Sequence, residues 1–337
     1  MFRLNLAASP SNSCGFWLIV FLIENHLQLS MNNLRFHLES ETSFSSVDGF
    51  PETWYIPQNF SAKRVSKMSN KIGFIGGGQM GEALIRGIIG SGLYSKSDIS
   101  VAEPSTERRE YMTQTYGIEG FDNSDQIWAT CDTVLLAVKP QIMEIILAAS
   151  RDHISSEHLI ITIAAGLPIS FYEERLGRDD YKIIRVMPNT PALILEAASG
   201  LSGNKNVSRE ELLRCEEILN KVGKAVILDE SALDAVTGLS GSGPAYVFTF
   251  ADAMIDAGIK AGLPRPTAET LALQTILGSV KLLIESKKHP ADLRAMVTSP
   301  GGTTIAAQHV LERSGFKGIV MDAVEAAVLR SKELGNN

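Results

Sequence analysis

The chain has 337 residues, enough for two domains and a tail, and its 45% apolar content is that of a globular protein rather than a low-complexity one. A net charge of −7 with no long basic run argues against nucleic-acid binding. Cys14, Cys131 and Cys215 stand far apart without a C-x-x-C, which argues against a disulfide framework or a zinc site and fits a reducing compartment.

Residues 1–68 differ from the rest. They are rich in Ser and Asn, lack a clear period, and hold one apolar run, Phe16 to Ile23. That run is far short of the roughly 20 residues a bilayer needs. With Arg3 ahead of it, it has the outline of a signal-peptide core, yet Glu24-Asn25-His26 follows where small cleavage-site residues belong. Arg3, Arg35 and Arg64 are too few for a mitochondrial presequence. Met68-Ser69-Asn70 leads straight into the first strand, so the segment reads as a disordered or artefactual extension, with a targeting role as the competing reading.

The next stretch organises the chain. Ile72 to Ile75 reads as a buried strand, Gly76, Gly78 and Gly81 follow at G-x-G-x-x-G spacing, and Glu82 to Ile89 continues as a helix. Gly76 permits the tight turn, Gly78 lets backbone approach a pyrophosphate, and Gly81 lets the helix pack on the strand. The helix aims its free N–H groups and positive dipole end at the phosphates. A glycine turn between strand and helix is a dinucleotide site.

From there strand and helix alternate, as in a parallel sheet with crossover helices. Strands are expected at Ile99 to Ala102, Thr133 to Val138, Leu159 to Ala164, Lys182 to Val186 and Lys224 to Leu228. Helices are expected at Thr106 to Tyr116, from Met143 onward, and from Ser208, where Glu211 completes a capping box and Gly223 closes the element. His153 and His158, five apart, read as surface histidines, and no metal site is expected. Residues 69–229 thus read as a Rossmann-type doubly wound parallel sheet.

After Asp229 the strand signal stops. Ser231 to Thr237, Pro244 to Ala261, Pro266 to Ser286, Thr304 to Arg313 and Phe316 to Leu334 read as helices, several apolar nearly all round. So many apolar faces in residues 230–337 need another surface, and an intimate homodimer supplies one. Inside this half, Ser299-Pro300-Gly301-Gly302-Thr303-Thr304 breaks one helix and opens the next. Two glycines at a helix N-terminus with flanking hydroxyls form an anion cup suited to a carboxylate, or a plain inter-helix turn.

Together with Gly238-Leu-Ser-Gly-Ser-Gly-Pro-Ala-Tyr246 and Ala137-Val-Lys-Pro140, this segment resembles pyrroline-5-carboxylate reductase from about Lys71 to Gly335, each motif in family order. The resemblance implies a Rossmann domain followed by an all-helical dimerisation domain, with dimers assembling into a decamer. It implies an NAD(P)H-dependent oxidoreductase acting on a CH–NH bond, which reduces 1-pyrroline-5-carboxylate to L-proline in the last step of proline biosynthesis. Ile75, Gly76, Gly77, Gly78, Gln79 and Met80 would hold the pyrophosphate, and Ala137, Val138, Lys139 and Pro140 would lie along the cofactor. Ala164, Ala165, Gly166 and the Met187-Pro-Asn-Thr turn would border the nicotinamide, with Asn123 or Ser124 as a further contact. The substrate carboxylate would rest on Ser299, Gly301, Gly302 and Thr303, beside Val297 and Glu230, and Thr304 matches the threonine that hydrogen-bonds the ring nitrogen. The pocket would lie where one subunit's Rossmann domain meets the helical dimer.

An imine protonates from solvent, so such a site needs positioning more than a strong general acid, and the lack of a conspicuous His or Lys pair is no objection. Lys139 is a partner for cofactor phosphates, an acid at the imine, or a solvated edge charge. Glu103, at the end of the second strand, is placed for the ribose 2′-OH of NAD, while Ser105, Arg108 and Arg109 follow at once and offer a 2′-phosphate site. Family members often carry a small polar residue at that position, so the expectation is dual use, NAD(H) and NADP(H), leaning to NADPH. Competing readings are a reductase for another small imino or keto acid, a nucleotide-sensing module, and a structural oligomer-former. Cysteine usage and the lack of a membrane span give a cytoplasmic expectation, with neither membrane nor nucleic acid as partner.

Overall fold

A computed structural model describes residues 71–335. Expectations for residues 1–68, Cys14 among them, lie outside these.

Eight strands form one sheet: β1 (Ile72–Ile75), β2 (Ile99–Ala102), β3 (Glu119–Phe121), β4 (Thr133–Leu136), β5 (Leu159–Thr162), β6 (Lys182–Met187), β7 (Ala197–Gly203) and β8 (Gly223–Ile227), in the order β3-β2-β1-β4-β5-β6-β7-β8. All neighbours are parallel except β6 and β7. The chain builds outward from β1 through β2 to β3, then returns to β4 on the other side of β1. The carboxyl ends of β1 and β4 therefore flank the point where strand order reverses, which is where open parallel sheets bind ligands.

β1, β2, β4 and β5 are buried along their whole length, because helices cover both faces. Ile72 and Phe74 point into one core with Leu84, Ile88, Leu135 and Ile161. Ile75 points into the other with Ile127, Leu136, Ile160 and Tyr172. Between the strands run α1 (Gln79–Ser91), α2 (Thr106–Tyr116), α3 (Asp125–Thr130), α4 (Pro140–Ser150), α5 (Ile169–Leu176) and α6 (Arg209–Leu219). The Ser208–Glu211 capping box opens α6 as expected.

Several elements differ from expectation. β3 and β7 are additional strands, and α3 and α5 are additional helices. β4 and β5 each stop two residues early, so that 137–138 and 163–164 turn out of the sheet. Gly223 does not close α6, which ends at Leu219 with Asn220 as its cap; it opens β8 at φ +155, where a Cβ would lie 2.1 Å from the Ala197 carbonyl oxygen. His158 is half-buried rather than a free surface residue: Nδ1 accepts from the Ser155 N–H at 2.9 Å, so Nε2–H donates to the Trp128 carbonyl at 2.9 Å.

From Glu230 onward the described chain is helical. A 3-10 turn at Glu230–Ala232 leads into α7 (Leu233–Val236) and a π turn at Thr237–Gly241, followed by α8 (Gly243–Lys260), α9 (Arg265–Ser286), the additional α10 (Pro290–Met296), α11 (Thr303–Arg313) and α12 (Phe316–Gly335). Their apolar residues stay exposed: Phe248 is 66% accessible, Ile284 69% and Met321 66%. α9 buries Ala268 and Ala272 alone, and by length and composition it is apolar enough to cross a membrane.

Candidate functional site

The turn after β1 has the three glycine roles built into it. At Gly76, φ is +105 and a Cβ would lie 2.7 Å from the Ala137 carbonyl oxygen. At Gly81 a Cβ would lie 2.6 Å from the Gly76 oxygen, so helix and turn touch backbone to backbone. At Gly78 a Cβ would meet nothing within 4 Å. Gly78 is also the N-cap of α1, and no side chain caps that helix. The first N–H groups of a 13-residue helix thus face open space at the switch point, a cradle whose chemistry fits a dinucleotide pyrophosphate.

That space is a cleft of about 590 Å³, lined by Gly78, Gln79, Met80, Ala137 to Pro140 and Ile163 to Ala165, with Met187, Pro188, Thr190 and Leu193 on the far wall. Most residues expected along a dinucleotide are therefore brought together. Ile75, 2% accessible, and Gly76 and Gly77 form the turn behind them. Lys139 is exposed at the N-cap of α4 and has no ion-pair partner among the described residues. Ser124 lines no part of the cleft; its hydroxyl meets that of Ser150 at 3.2 Å, while Asn123 accepts from the Asp125 N–H at 3.0 Å just ahead of α3. The turn at 163–165 is braced from behind: the Thr162 hydroxyl accepts from the Ala164 N–H at 3.3 Å and bonds the Tyr172 hydroxyl at 2.6 Å. Burial pushes the Tyr172 phenol up to about 12, so it stays a neutral brace.

At the end of β2, the Glu103 carboxylate accepts from the Gly77 N–H at 2.9 Å and the Ser105 N–H at 3.0 Å. Arg108, the expected phosphate ligand, is already engaged. Its Nε donates to the Gly77 carbonyl at 2.6 Å and its guanidinium pairs with Glu82. Glu82 also accepts from Tyr116 at 2.6 Å and Tyr111 at 2.9 Å. Burial alone would raise the Glu82 carboxyl, but the Tyr116, Arg108 and Tyr111 bonds outweigh it and hold it below the usual range. Sequence reasoning missed this hub; the available signal was an acid in the first turn of the helix after the glycines.

Hydrogen bonds at Glu230 and Asn189 help tie the sheet to the helical half. Glu230, expected near the substrate, accepts through Oε1 from the Ile169 N–H at 2.7 Å and from the nearly buried Arg185 at 3.1 Å, while Oε2 has no partner among the described residues. Asn189 donates to the Ser240 carbonyl in the π turn at 3.0 Å and accepts from the Ala198 N–H at 2.9 Å. Sequence reasoning did not single out Arg185; the signal available was a charge interrupting the apolar run of β6.

The second constellation forms a turn at the N-terminus of α11. Gly301 has φ +67, and Gly302 is the N-cap, with no side chain capping the helix. A Cβ on Gly302 would lie 2.3 Å from Ser299 Oγ. Ser299, Gly301 and Thr303 are exposed, Gly302 and Thr304 half-buried, and Val297 is 65% accessible at the end of α10. Gly301 and Gly302 line a second hollow of about 620 Å³ with Arg294, Gln308 and His309. This hollow and the dinucleotide cleft have no lining residue in common. Among the described residues no group of His, Cys, Asp or Glu is arranged to hold a metal ion.

Known proteins share both halves. A family model described as pyrroline-5-carboxylate reductase dimerisation matches residues 230–334, and one described as NADP oxidoreductase, coenzyme F420-dependent, matches residues 71–166. Pyrroline-5-carboxylate reductase of Synechocystis is 42% identical across 80% of this chain and 99% of its own length, and that of Arabidopsis thaliana 40% across 80% and 97%. Among solved structures, the Coxiella burnetii reductase superposes with a TM-score of 0.75 at 34% identity, over 79% of this chain and 98% of its own. The Plasmodium falciparum enzyme, solved with NADP bound, gives 0.71 at 37% identity over 79% and 98%. With identities this high across both the glycine cradle and the helical half, the chain belongs to the pyrroline-5-carboxylate reductase family.

Proposed function

We propose that this chain reduces 1-pyrroline-5-carboxylate to L-proline with NADH or NADPH, closing proline biosynthesis. The observation that carries the reading is the pairing of two uncapped helix N-termini in one chain: one follows the glycine turn at the switch point, the other follows Pro300-Gly301-Gly302. The first suits a pyrophosphate and the second a carboxylate.

When bound in the cleft, the nicotinamide supplies the hydride. The chain's own residues do the positioning. Ser299, Gly301, Gly302 and Thr303 would anchor the carboxylate, the Thr304 hydroxyl would orient the ring nitrogen, and Ala164 and Ala165 would face the reacting carbon across the cleft. The imine carbon gains the hydride and the ring nitrogen takes its proton from solvent, so no proton-transfer residue is required. Lys139 suits a cofactor phosphate, lining the cleft with no ion-pair partner among the described residues.

The cleft and the cup share no residue, and the apolar helix faces call for a second copy. Both features support a site in which the cup of one subunit closes the cleft of its partner, within a homodimer that assembles further into a decamer. α9 would then be covered by protein rather than by lipid. A cytoplasmic enzyme fits the two buried free thiols, Cys131 and Cys215.

The test is oxidation of NADH and NADPH by purified protein with and without 1-pyrroline-5-carboxylate. Saturable oxidation that requires the imine is the expected result. Cofactor binding without oxidation would keep the cradle and overturn the substrate. Thr304→Ala should lower kcat by less than the roughly 10²–10⁴-fold that loss of a proton-transfer residue costs. An unchanged kcat would remove Thr304 from its role.

A further inference from the structure

We infer that this enzyme selects NADH over NADPH, and that Glu103 makes the selection with Glu82 holding the nearest guanidinium away. The inference rests on the dinucleotide cradle of the proposed reductase and runs against the family's lean toward NADPH.

Glu103 stands at the carboxyl end of β2, beside the glycine turn, where the adenosine ribose of a bound dinucleotide falls. Its carboxylate is fixed there by two backbone donors, Gly77 N–H on one oxygen and Ser105 N–H on the other. Each oxygen keeps a lone pair, so the pair of them can accept the 2′- and 3′-hydroxyls of NADH. A 2′-phosphate would bring a second anion, carrying most of two negative charges, against the same group.

A reductase that takes the phosphate must offset that charge with a cation, and the two cations within reach are engaged. Arg108 is held at three points: the Gly77 carbonyl on Nε, the Glu82 carboxylate on its terminal nitrogen, and the face of Tyr111 at 5.0 Å. Arg109 donates to the carbonyls of Glu103 at 2.7 Å and Pro104 at 3.3 Å and to the Thr106 hydroxyl at 3.3 Å. Arg108 and Glu82 neutralise each other, whereas Glu103 has no ion-pair partner among the described residues. Arg109 keeps its charge, since its acceptors are neutral, but its guanidinium is turned onto the backbone of Glu103 and Pro104, so the group left to meet the ribose is the Glu103 carboxylate. Freeing Arg108 would mean breaking its pair with a carboxylate that two tyrosines also hold in place.

The measurement is the dissociation constant of NADH and of NADPH for the purified full-length enzyme, by nicotinamide fluorescence without any imine present, alongside kcat/KM for each. Binding reports the preference even if the imine proves not to be the substrate, so the two readings fail separately. We expect NADH to bind roughly tenfold or more tightly than NADPH. Glu103→Ser, which removes the charge and leaves a small hydroxyl, should bring the two constants within about threefold, chiefly by tightening NADPH. Glu82→Gln, which releases Arg108 toward the ribose, should tighten NADPH in the same direction. Equal binding, or tighter NADPH, in the wild-type enzyme would overturn the inference. A wild-type preference for NADH that neither substitution narrows would overturn the assignment to Glu103 and Glu82.

Discussion

A charged side chain in this protein does its work through the donors that surround it, and Glu211 shows the arithmetic. Its carboxylate accepts from the Ser208 N–H at 2.8 Å and pairs with Lys182 at 3.0 Å, tying the start of α6 to β6. Burial raises its pKa, but the Ser208 backbone bond and Lys182 outweigh that and leave it lowered. A carboxyl lowered in the folded state contributes stability above its unfolded pKa and loses it as pH falls through the folded value. Glu211→Ala should therefore cost about 1 kcal/mol at neutral pH. That cost should shrink steadily as pH falls below the ordinary glutamate range. Urea midpoints of wild type and variant at neutral and acid pH check this; a gap that stays constant would show that the charge contributes nothing. The capping box was legible because serine and glutamate three apart constrain each other locally. The partner Lys182 was not, since 29 residues and a strand separate it from Glu211.

At the scale of elements, legibility followed how strongly each segment's own pattern fixes its form. β1, β2, β4 and β5 are apolar runs buried on both faces, and composition alone marked them. β7 is Ala-Ala-Ser-Gly-Leu-Ser-Gly, which resembles a loop. Its residues are small because α7 lies directly on it: a Cβ on Gly200 would come within 2.9 Å of Val236 Cγ2. β3 is three residues long and gains its strand character only from pairing with β2. The same close approach explains Gly238, in the π turn that Asn189 clasps. A Cβ there would lie 2.5 Å from Val328 Cγ2 and 2.9 Å from the Val324 carbonyl oxygen, so α12 rests on bare backbone. Tyr246 donates to the Gly238 carbonyl at 3.0 Å, and Ser331 donates to Asp234 at 2.6 Å nearby, locking the same contact. Gly238→Ala should destabilise the protein by about 1–3 kcal/mol, because the backbone oxygen of α12 cannot rotate away as a side chain would. A thermal midpoint equal to wild type would mean that α12 shifts without cost.

At the scale of the whole molecule, the two proposed anion sites line separate hollows, and the proposed reaction needs them brought together. Sequence placed both glycine turns at the starts of their helices, where Gly78 and Gly302 are the N-caps, since glycine punctuation is a local signal. In the proposed dimer their relation to each other is a property of assembly, and no local pattern encodes it. The separation of the two hollows in one chain gives a decisive experiment. Gly78→Asp puts a carboxylate where the pyrophosphate would rest, and nothing within 4 Å resists the new Cβ. Gly301→Asp puts one in the cup, at an open position whose φ of +67 suits aspartate better than most residues. Each variant alone should fold and be inactive, because its own anion repels the incoming one. Co-expressed in equal amounts, half of the dimers pair one variant with the other. If the cup of one subunit serves the cleft of its partner, each mixed dimer has one site with both halves damaged and one with both intact. The mixture should then recover about a quarter of wild-type activity. If each chain completes its own site, no intact site forms in any combination and the mixture stays as inactive as either parent.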